Sequence, residues 1–165
     1  MEDKLKVVVA DDVIALANNL KLIIEKNPRV EKVWISNDGE DAVIQIMNIE
    51  PDIVFTDMDM PKRTGIDVIE TIKGYPCVRK KTRFVLVTAN RDPELYIKAR
   101  ELEFDIEHKP VNSERINKYI NEFEPIEIDE EEETRKWNEE VAEVRKELKK
   151  EGFLKKLFKK KENKE

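Results

Sequence analysis

Short apolar runs alternate with longer amphipathic stretches over the first 123 residues of the chain. The runs are four to seven residues long and rich in valine and isoleucine, which is typical of strands in a buried parallel sheet. The stretches between them repeat apolar residues at spacings of three and four, as helices with one buried face do. The alternation predicts an α/β domain with a parallel sheet. Its predicted strands are Leu5–Ala10, Val30–Ser36, Asp52–Thr56, Arg83–Thr88 and Phe104–Glu107.

Each stretch that follows a predicted strand is predicted to be a helix. The helices cover Val13–Lys26, the segment after the Asn37-Asp38-Gly39 turn, Ile66–Lys73, Asp92–Leu102 and Ser113–Phe123. Pro28 marks the end of the first helix, because proline cannot continue the hydrogen-bonding pattern. Ser113 is expected to cap the last helix, since a serine hydroxyl accepts hydrogen bonds from free backbone N–H groups. The buried face of the first helix is expected to hold Ile14, Leu16, Leu20 and Ile23 or Ile24.

After Phe123 the pattern changes. Residues 124–133 carry seven acidic residues and no basic one, which favours a linker or the cap of the following helix. Further on, apolar residues recur at spacings of four, three and four, the spacing of a helix seam. These residues are Trp137, Val141, Val144 and Leu148. Gly152 is expected to interrupt this helix ahead of the lysine-rich residues 153–161.

The length and charge of the chain fit one domain with an extension. Its 165 residues are too few for two enzyme domains. We divide the chain into a main domain (1–123), an acidic linker (124–133) and an amphipathic helix with a basic tail (134–165). Charged residues make up 41% of the chain, against roughly 25% in an average soluble protein. The net charge of the whole chain is −6, but it is unevenly distributed. Residues 149–165 contain eight bases and three acids, which give this segment a charge of +5.

Several classes of protein are excluded by what the sequence lacks. No apolar run approaches the ~20 residues of a membrane span, and the first residues lack a signal-peptide core, so we expect a cytoplasmic protein. The single cysteine, Cys77, excludes an intramolecular disulfide and a cysteine zinc site, and we expect no redox role for it. The single histidine, His108, excludes a multi-histidine metal site. A bound metal would therefore need carboxylate ligands.

Polar residues lie at the ends of four predicted strands. They are Asp11-Asp12 after the first, Asp57 after the third, Thr88-Ala89 at the fourth and Lys109-Pro110 near the fifth. Open α/β sheets bind ligands at the carboxyl ends of their strands, where neighbouring strand ends converge. Carboxylates that meet there repel one another unless a cation is present. Mg²⁺ suits such a site, because it binds carboxylate, carbonyl and water oxygens and leaves a position for a phosphoryl oxygen.

This set of residues resembles the receiver domain of two-component response regulators across residues 1–123. The resemblance rests on motifs in order, each at a strand end: Val7-Val8-Val9-Ala10-Asp11-Asp12, Asp57 with Met60-Pro61 and Gly65, Thr88-Ala89, and Lys109-Pro110. It implies a flavodoxin-like, doubly wound, five-stranded parallel sheet in the order 2-1-3-4-5, here with a C-terminal helical extension. It also implies a phosphoacceptor signalling protein that assists its own phosphorylation and dephosphorylation and is not an enzyme.

The resemblance assigns roles to the acidic residues. Asp57 would be the phosphoacceptor and also part of the Mg²⁺ site, and Asp12 would be a direct Mg²⁺ ligand. Asp11 would bind Mg²⁺ through water, and the backbone carbonyl of Asp59 would be a further ligand. The phosphoryl group would come from a phosphohistidine on a histidine kinase or a histidine phosphotransferase.

Two further residues would bind the phosphoryl group and report its presence. Lys109 would supply a positive charge, in a loop held by Pro110 in the cis form usual in the family. Thr88 would donate a hydrogen bond to the phosphate and draw its loop inward, which changes the surface at the fourth helix, fifth strand and fifth helix. The chain departs from the family at Ile106, where an aromatic residue usually precedes the lysine by three positions. The output would then run through Thr88 and the fourth helix, or through the tail.

The tail leaves alternatives open. Its 42 residues have no room for a three-helix DNA-binding unit, so no DNA-binding domain is expected. Its helix either packs on the main domain or forms the seam of a homodimer or of a contact with an effector protein. The basic segment is either a solvated end or a docking segment for a protein, a nucleic acid or a membrane, membrane contact being less favoured. The alternative to phosphoryl acceptance is a non-phosphorylated receiver-fold interaction module that acts through this helical tail.

Overall fold

The computed structural model describes residues 4–75, 82–126 and 129–162 of the chain. Beyond residue 129, side chains are described at 131–147, 149–150 and 152. The chain divides into two compact units, residues 1–126 and 127–165, and each is considered by itself. Cys77 lies outside the described residues, so its expected lack of a redox role stays a prediction.

Five parallel strands form one sheet in the order β2-β1-β3-β4-β5, which confirms the predicted fold class. The strands are β1 Leu5–Ala10, β2 Val30–Ser36, β3 Ile53–Asp57, β4 Arg83–Thr88 and β5 Asp105–His108. β3 and β5 begin and end one residue later than predicted, so Asp57 and His108 are the last residues of their strands. Every residue of β3 is buried, which is usual for a central strand of a parallel sheet.

Among the described residues of the first unit, five helices connect and follow these strands. They are α1 Ile14–Glu25, α2 Gly39–Ile49, α3 Gly65–Lys73, α4 Pro93–Leu102 and α5 Ser113–Asn121. The prediction of Ser113 as the cap of α5 was wrong, because Ser113 is already the first helical residue. The cap is Asn112, whose side-chain oxygen accepts hydrogen bonds from the N–H groups of Glu114 at 2.8 Å and Arg115 at 3.3 Å.

The buried face of α1 also differs from the prediction. Its buried residues are Ala17, Leu20 and Ile24, at spacings of three and four. Leu16 is 45% exposed, because it directly precedes Ala17 and so lies beside the buried stripe of this helix and not on it. Ile14 is 63% exposed and lies in the first turn, before the buried stripe begins. The expected face was therefore correct only in its second half.

Helices cover both faces of the sheet, and each face has its own core. On one face, α1 and α5 pack through residues such as Ile24 and Ile116 on Phe55 and neighbouring strand residues. On the other face, α2, α3 and α4 pack through residues such as Ile46 on Phe84 and its neighbours. The layers leave the carboxyl ends of β1, β3, β4 and β5 side by side at one edge, where the candidate site lies.

The second unit is formed by one long helix, α6 Glu130–Glu162. It begins inside the predicted 124–133 linker and runs through Gly152 without interruption, which contradicts the expected break. One glycine costs about 1 kcal/mol relative to alanine in a helix, too little to end a helix that continues on both sides. Trp137 is 49% exposed and Val144 is 55% exposed. Within the described part of the chain, no helix has both the length and the apolar character needed to cross a membrane.

Candidate functional site

Three carboxylates meet at the edge formed by the carboxyl ends of β1 and β3. Asp11 and Asp12 follow β1, and Asp57 ends β3. The two strands are adjacent and parallel, with Ala10 paired to Thr56, so the residues beyond them lie side by side. One carboxylate oxygen from each aspartate lies within 4.8 Å of the other two. The structure therefore brings together the acidic residues that the sequence placed at separate strand ends.

Lys109 is the cation that faces these carboxylates. It follows β5, and the peptide bond between Lys109 and Pro110 is cis. Its Nζ lies 2.7 Å from Asp57 Oδ1 and 3.5 Å from Asp11 Oδ2. Its backbone N–H donates to the carbonyl of Thr88 at 2.9 Å, which ties the lysine loop to the end of β4.

The ionisation of these groups follows from burial and charge. Burial raises the pKa of the Asp11 carboxyl, and it outweighs the hydrogen bond from the Val13 N–H and the charge of Lys109, both of which lower that pKa. Burial alone would lower the pKa of Lys109, but the hydrogen bond and charge of Asp57, together with Asp11, outweigh it and raise this pKa. Lys109 thus stays protonated at neutral pH, and one ammonium faces three carboxylates.

This donor set fits a hard divalent cation. Asp11 and Asp57 are only 6% and 8% exposed, so their excess negative charge is poorly solvated. Mg²⁺ binds through one or two carboxylates together with carbonyl and water oxygens, and Asp12 is exposed enough to leave room for water. Receiver domains bind Mg²⁺ at an acidic pocket, and Asp11, Asp12 and Asp57 are the residues that could hold it here.

The loop after β3 carries Asp59, whose side chain is exposed and lies outside the carboxylate cluster of the described residues. Its predicted role involves the backbone carbonyl instead. Gly65 holds the end of this loop against the site, since its N–H donates to the Met58 carbonyl at 2.9 Å. A Cβ at position 65 would overlap the carbonyl oxygen of Asp57, so only glycine allows this approach.

The loop after β3 is also held at the start of α2, by contacts that the sequence did not predict. Lys62 Nζ lies 3.0 Å from Oδ2 of Asp38, the cap of α2, and the Gly39 N–H donates to the Pro61 carbonyl at 3.2 Å. The N–H of Asp41 and the ammonium of Lys62 both lower the pKa of Asp38. The turn at residues 37–39 was visible in the sequence, but nothing local indicates a partner more than twenty residues away.

Thr88, the last residue of β4, holds its hydroxyl in weak contacts. The hydroxyl donates to the Met58 sulfur at 3.7 Å and accepts from the Asn90 N–H at 3.0 Å. Thioether sulfur is a poor acceptor, so a charged oxygen would compete well for this proton. Thr88 is 2% exposed, so bulk water hardly reaches its hydroxyl.

The chain is similar to known proteins over most of this unit. The family model described as Response regulator receiver domain matches residues 7–121. The signal receiver domain of NarL from Mycobacterium tuberculosis superposes with a TM-score of 0.65 and 24% identity. That match covers 72% of this chain and 94% of the solved one. The likeness to NarL concerns the fold.

Two curated relatives are longer proteins. A protein-glutamate methylesterase/protein-glutamine glutaminase of Syntrophomonas wolfei is 40% identical over 68 residues, which are 41% of this chain and 19% of that protein. The transcriptional regulatory protein DegU of Brevibacillus brevis is 33% identical over 97 residues, which are 58% of this chain and 39% of DegU. The matched part is therefore less than two fifths of each relative, and the activities in their names are those of longer chains.

Proposed function

Because the chain belongs to the response regulator receiver domain family, we propose that it accepts a phosphoryl group on Asp57 in two-component signalling. The observation that carries this proposal is the 2.7 Å contact between Lys109 Nζ and Asp57 Oδ1 within a cluster of three carboxylates. A nucleophile, a positive charge and metal-binding oxygens thus occupy one point of the sheet edge. Phosphoryl transfer to a carboxylate requires these parts.

Asp57 is the nucleophile in this proposal. Lys109 holds Oδ1, which leaves the other carboxylate oxygen of Asp57 for an in-line attack on the phosphorus of a phosphohistidine. A P–O bond to Asp57 forms as the P–N bond breaks, and the leaving imidazole keeps the electron pair of that bond. Asp12, Asp57 and the Asp59 carbonyl, together with Asp11 through water, would hold Mg²⁺, which would neutralise charge on the transferring group.

Thr88 responds to the product. Phosphorylation adds a charge of about −2 and three strong acceptor oxygens near β4. The Thr88 hydroxyl exchanges its weak bond to Met58 for a charge-assisted bond to a phosphoryl oxygen, while Lys109 binds another. The loop that carries Thr88 and Asn90 moves with it, and α4 follows this loop directly in the chain.

The phosphohistidine donor, a histidine kinase or a histidine phosphotransferase, binds beside Asp12 in this proposal. Receiver domains interact with such proteins, and here the start of α1 offers an apolar surface next to the site. Val13, Ile14 and Leu16 are 47%, 63% and 45% exposed. Exposed apolar side chains beside a reactive group are typical of a surface that a protein partner covers.

The test is phosphorylation by a small acyl phosphate with Mg²⁺, followed by intact-mass measurement. We expect the mass of one phosphoryl group on the wild-type chain and none on Asp57→Asn. Asp105→Asn is the matched control, because Asp105 begins β5 at the far end of the sheet, where it pairs with Arg83 at 2.8 Å. A chain that gains no mass, or an Asp57→Asn variant that gains it, would contradict the proposal.

A second candidate function is a receiver-fold interaction module that is not phosphorylated. The long helix α6 favours it, since Trp137 and Val144 are exposed on that helix and would suit a homodimer or an effector protein. An unmodified mass in the experiment above, together with self-association that requires α6, would support this second function over the first.

A further inference from the structure

His108, the last residue of β5, adjoins Lys109 of the proposed phosphoryl site and contacts helix α4. His108 is paired with Thr88 in the β4–β5 register and immediately precedes Lys109. Paired residues of adjacent strands point to the same face of a sheet, so the imidazole and the Thr88 hydroxyl share a face. On that face, His108 Nε2 lies 2.7 Å from the hydroxyl oxygen of Tyr96 in α4. One hydrogen bond therefore links α4 to a residue that adjoins both Thr88 and Lys109.

The hydrogen bonding of this imidazole is incomplete. His108 Nδ1 is buried and has no partner among the described residues. A neutral imidazole has one donor nitrogen and one acceptor nitrogen, so either tautomer that bonds to Tyr96 leaves a buried polar atom without a partner. A buried polar atom without a partner costs free energy, and a movement of the ring that lets Nδ1 form a hydrogen bond would remove this cost. A small change in free energy is therefore enough to break the hydrogen bond between Tyr96 and His108.

The usual alternative for coupling the site to α4 is not available at position 106. Ile106 is half-buried and packs against the core that contains Phe104 and Leu86. An isoleucine side chain has no hydroxyl and no flat ring to exchange between a buried and an exposed position. Tyr96, by contrast, is 46% exposed, so its ring can move without opening the core.

We propose, on the basis of the function proposed above, that the Tyr96–His108 hydrogen bond holds α4 in its unphosphorylated position. A phosphoryl group on Asp57 draws Thr88 and Lys109 toward it. This movement displaces His108, which is paired with Thr88 and adjoins Lys109, and breaks its hydrogen bond to Tyr96. Tyr96 and His108 are positioning residues in this scheme, because neither touches the phosphoryl group.

Tyr96 also lines a groove on the surface between α4 and β5. Ile97, Phe104 and Ile106 line the same groove. When the tyrosine loses its partner, the wall of the groove changes, so the state of Asp57 is transmitted to a surface formed by α4 and β5.

The first experiment replaces the tyrosine hydroxyl. If the bond favours the unphosphorylated arrangement, Tyr96→Phe makes the phosphorylation-competent arrangement more populated and speeds modification of Asp57 about fivefold at limiting acyl phosphate. Tyr75→Phe is the matched control, since Tyr75 is 47% exposed and lies after α3, away from His108. A Tyr96→Phe rate equal to or below that of the wild type would overturn the proposal.

The second experiment uses the fact that the chain has one histidine. In full-length protein labelled with ¹⁵N, the single imidazole gives one set of ring-nitrogen resonances, which report the tautomer and the hydrogen bond at Nε2. We expect these resonances to change on phosphorylation of the wild type, and to be shifted already in unphosphorylated Tyr96→Phe. Asp57→Asn treated with acyl phosphate should keep the unphosphorylated spectrum.

The outcomes separate the two proposals. If intact mass shows a phosphoryl group on Asp57 while the imidazole resonances stay unchanged, the role of the Tyr96–His108 bond is overturned and the phosphoacceptor function stands. If Asp57 gains no phosphoryl group, both proposals fail together.

Discussion

Burial and charge compete at individual residues in the site and in the core. In the site, Lys109 remains charged because Asp57 and Asp11 outweigh the effect of burial on its pKa. In the core, Tyr119 of α5 packs edge-on against Phe55 and lies near Glu107 and Asp105. Burial, followed by the charges of these two acids, raises the pKa of Tyr119 to about 12. The phenol therefore keeps its proton in the folded chain at pH values where it loses it in an unfolded one.

The pKa of Tyr119 predicts a loss of stability in alkaline solution. The tyrosine pKa in an unfolded chain is about 10, so above that pH the native state holds this proton more tightly than the unfolded state does. Its contribution is complete below about pH 10 and is lost as the pH rises through about 12. The check is denaturant unfolding of the wild type and Tyr119→Phe between about pH 10 and pH 12, which measures the free energy of unfolding at each pH. The free energy of unfolding should fall less steeply with pH in the variant, and equal slopes would contradict the assignment.

Whether a helix or strand forms depends on the local pattern of apolar residues, and where a helix begins depends on particular capping side chains. The apolar spacing predicted each strand and helix that the structure describes in the first unit, and most bounds lie within a residue or two of the prediction. Caps were harder to predict, because Asn112 and Ser113 are both good capping residues that stand next to each other. The choice between them depends on the backbone conformation, and Asn112 is the residue with extended dihedral angles.

The cap of α5 gives a prediction with an internal control. Asn112→Ala removes the acceptor for two backbone N–H groups and should lower the free energy of unfolding by about 1 kcal/mol. Ser113→Ala, one residue further on, should change it by a few tenths of a kcal/mol at most, since alanine is favourable inside a helix. Urea unfolding measures both. A larger loss for Ser113→Ala than for Asn112→Ala would place the cap at the serine.

Over the whole molecule, two units with different character follow one another. The first unit has two packed cores, and its last helix is closed by Arg29, whose guanidinium donates to the carbonyls of Ile120 at 2.6 Å and Phe123 at 2.9 Å. The second unit is a helix whose described side chains are exposed or half-buried. All the residues proposed to bind and transfer the phosphoryl group lie in the first unit.

Removal of the second unit should separate the two roles. A chain that ends after Ile126 keeps the Arg29 contacts, so we expect phosphorylation by acyl phosphate at the wild-type rate. We also expect a change in self-association or partner binding, because exposed Trp137 and Val144 are then lost. Intact mass measures the first, and light scattering of phosphorylated and unphosphorylated chains measures the second. A molar mass equal to that of a single chain in all four samples, full-length and truncated, phosphorylated and unphosphorylated, would remove the homodimer as a role for α6.

The sequence by itself determined the strands, the helices and the polar residues at the strand ends, because apolar periodicity is local and each of these residues is adjacent to its strand. Resemblance to a family added the sheet order, which the structure confirms. Only the tertiary structure decided what depends on partners distant in the chain. These are the pairing of Lys62 with Asp38, the approach of Gly65 to Asp57 and the bond between Tyr96 and His108. Such contacts depend on how the layers pack, and no local pattern encodes them.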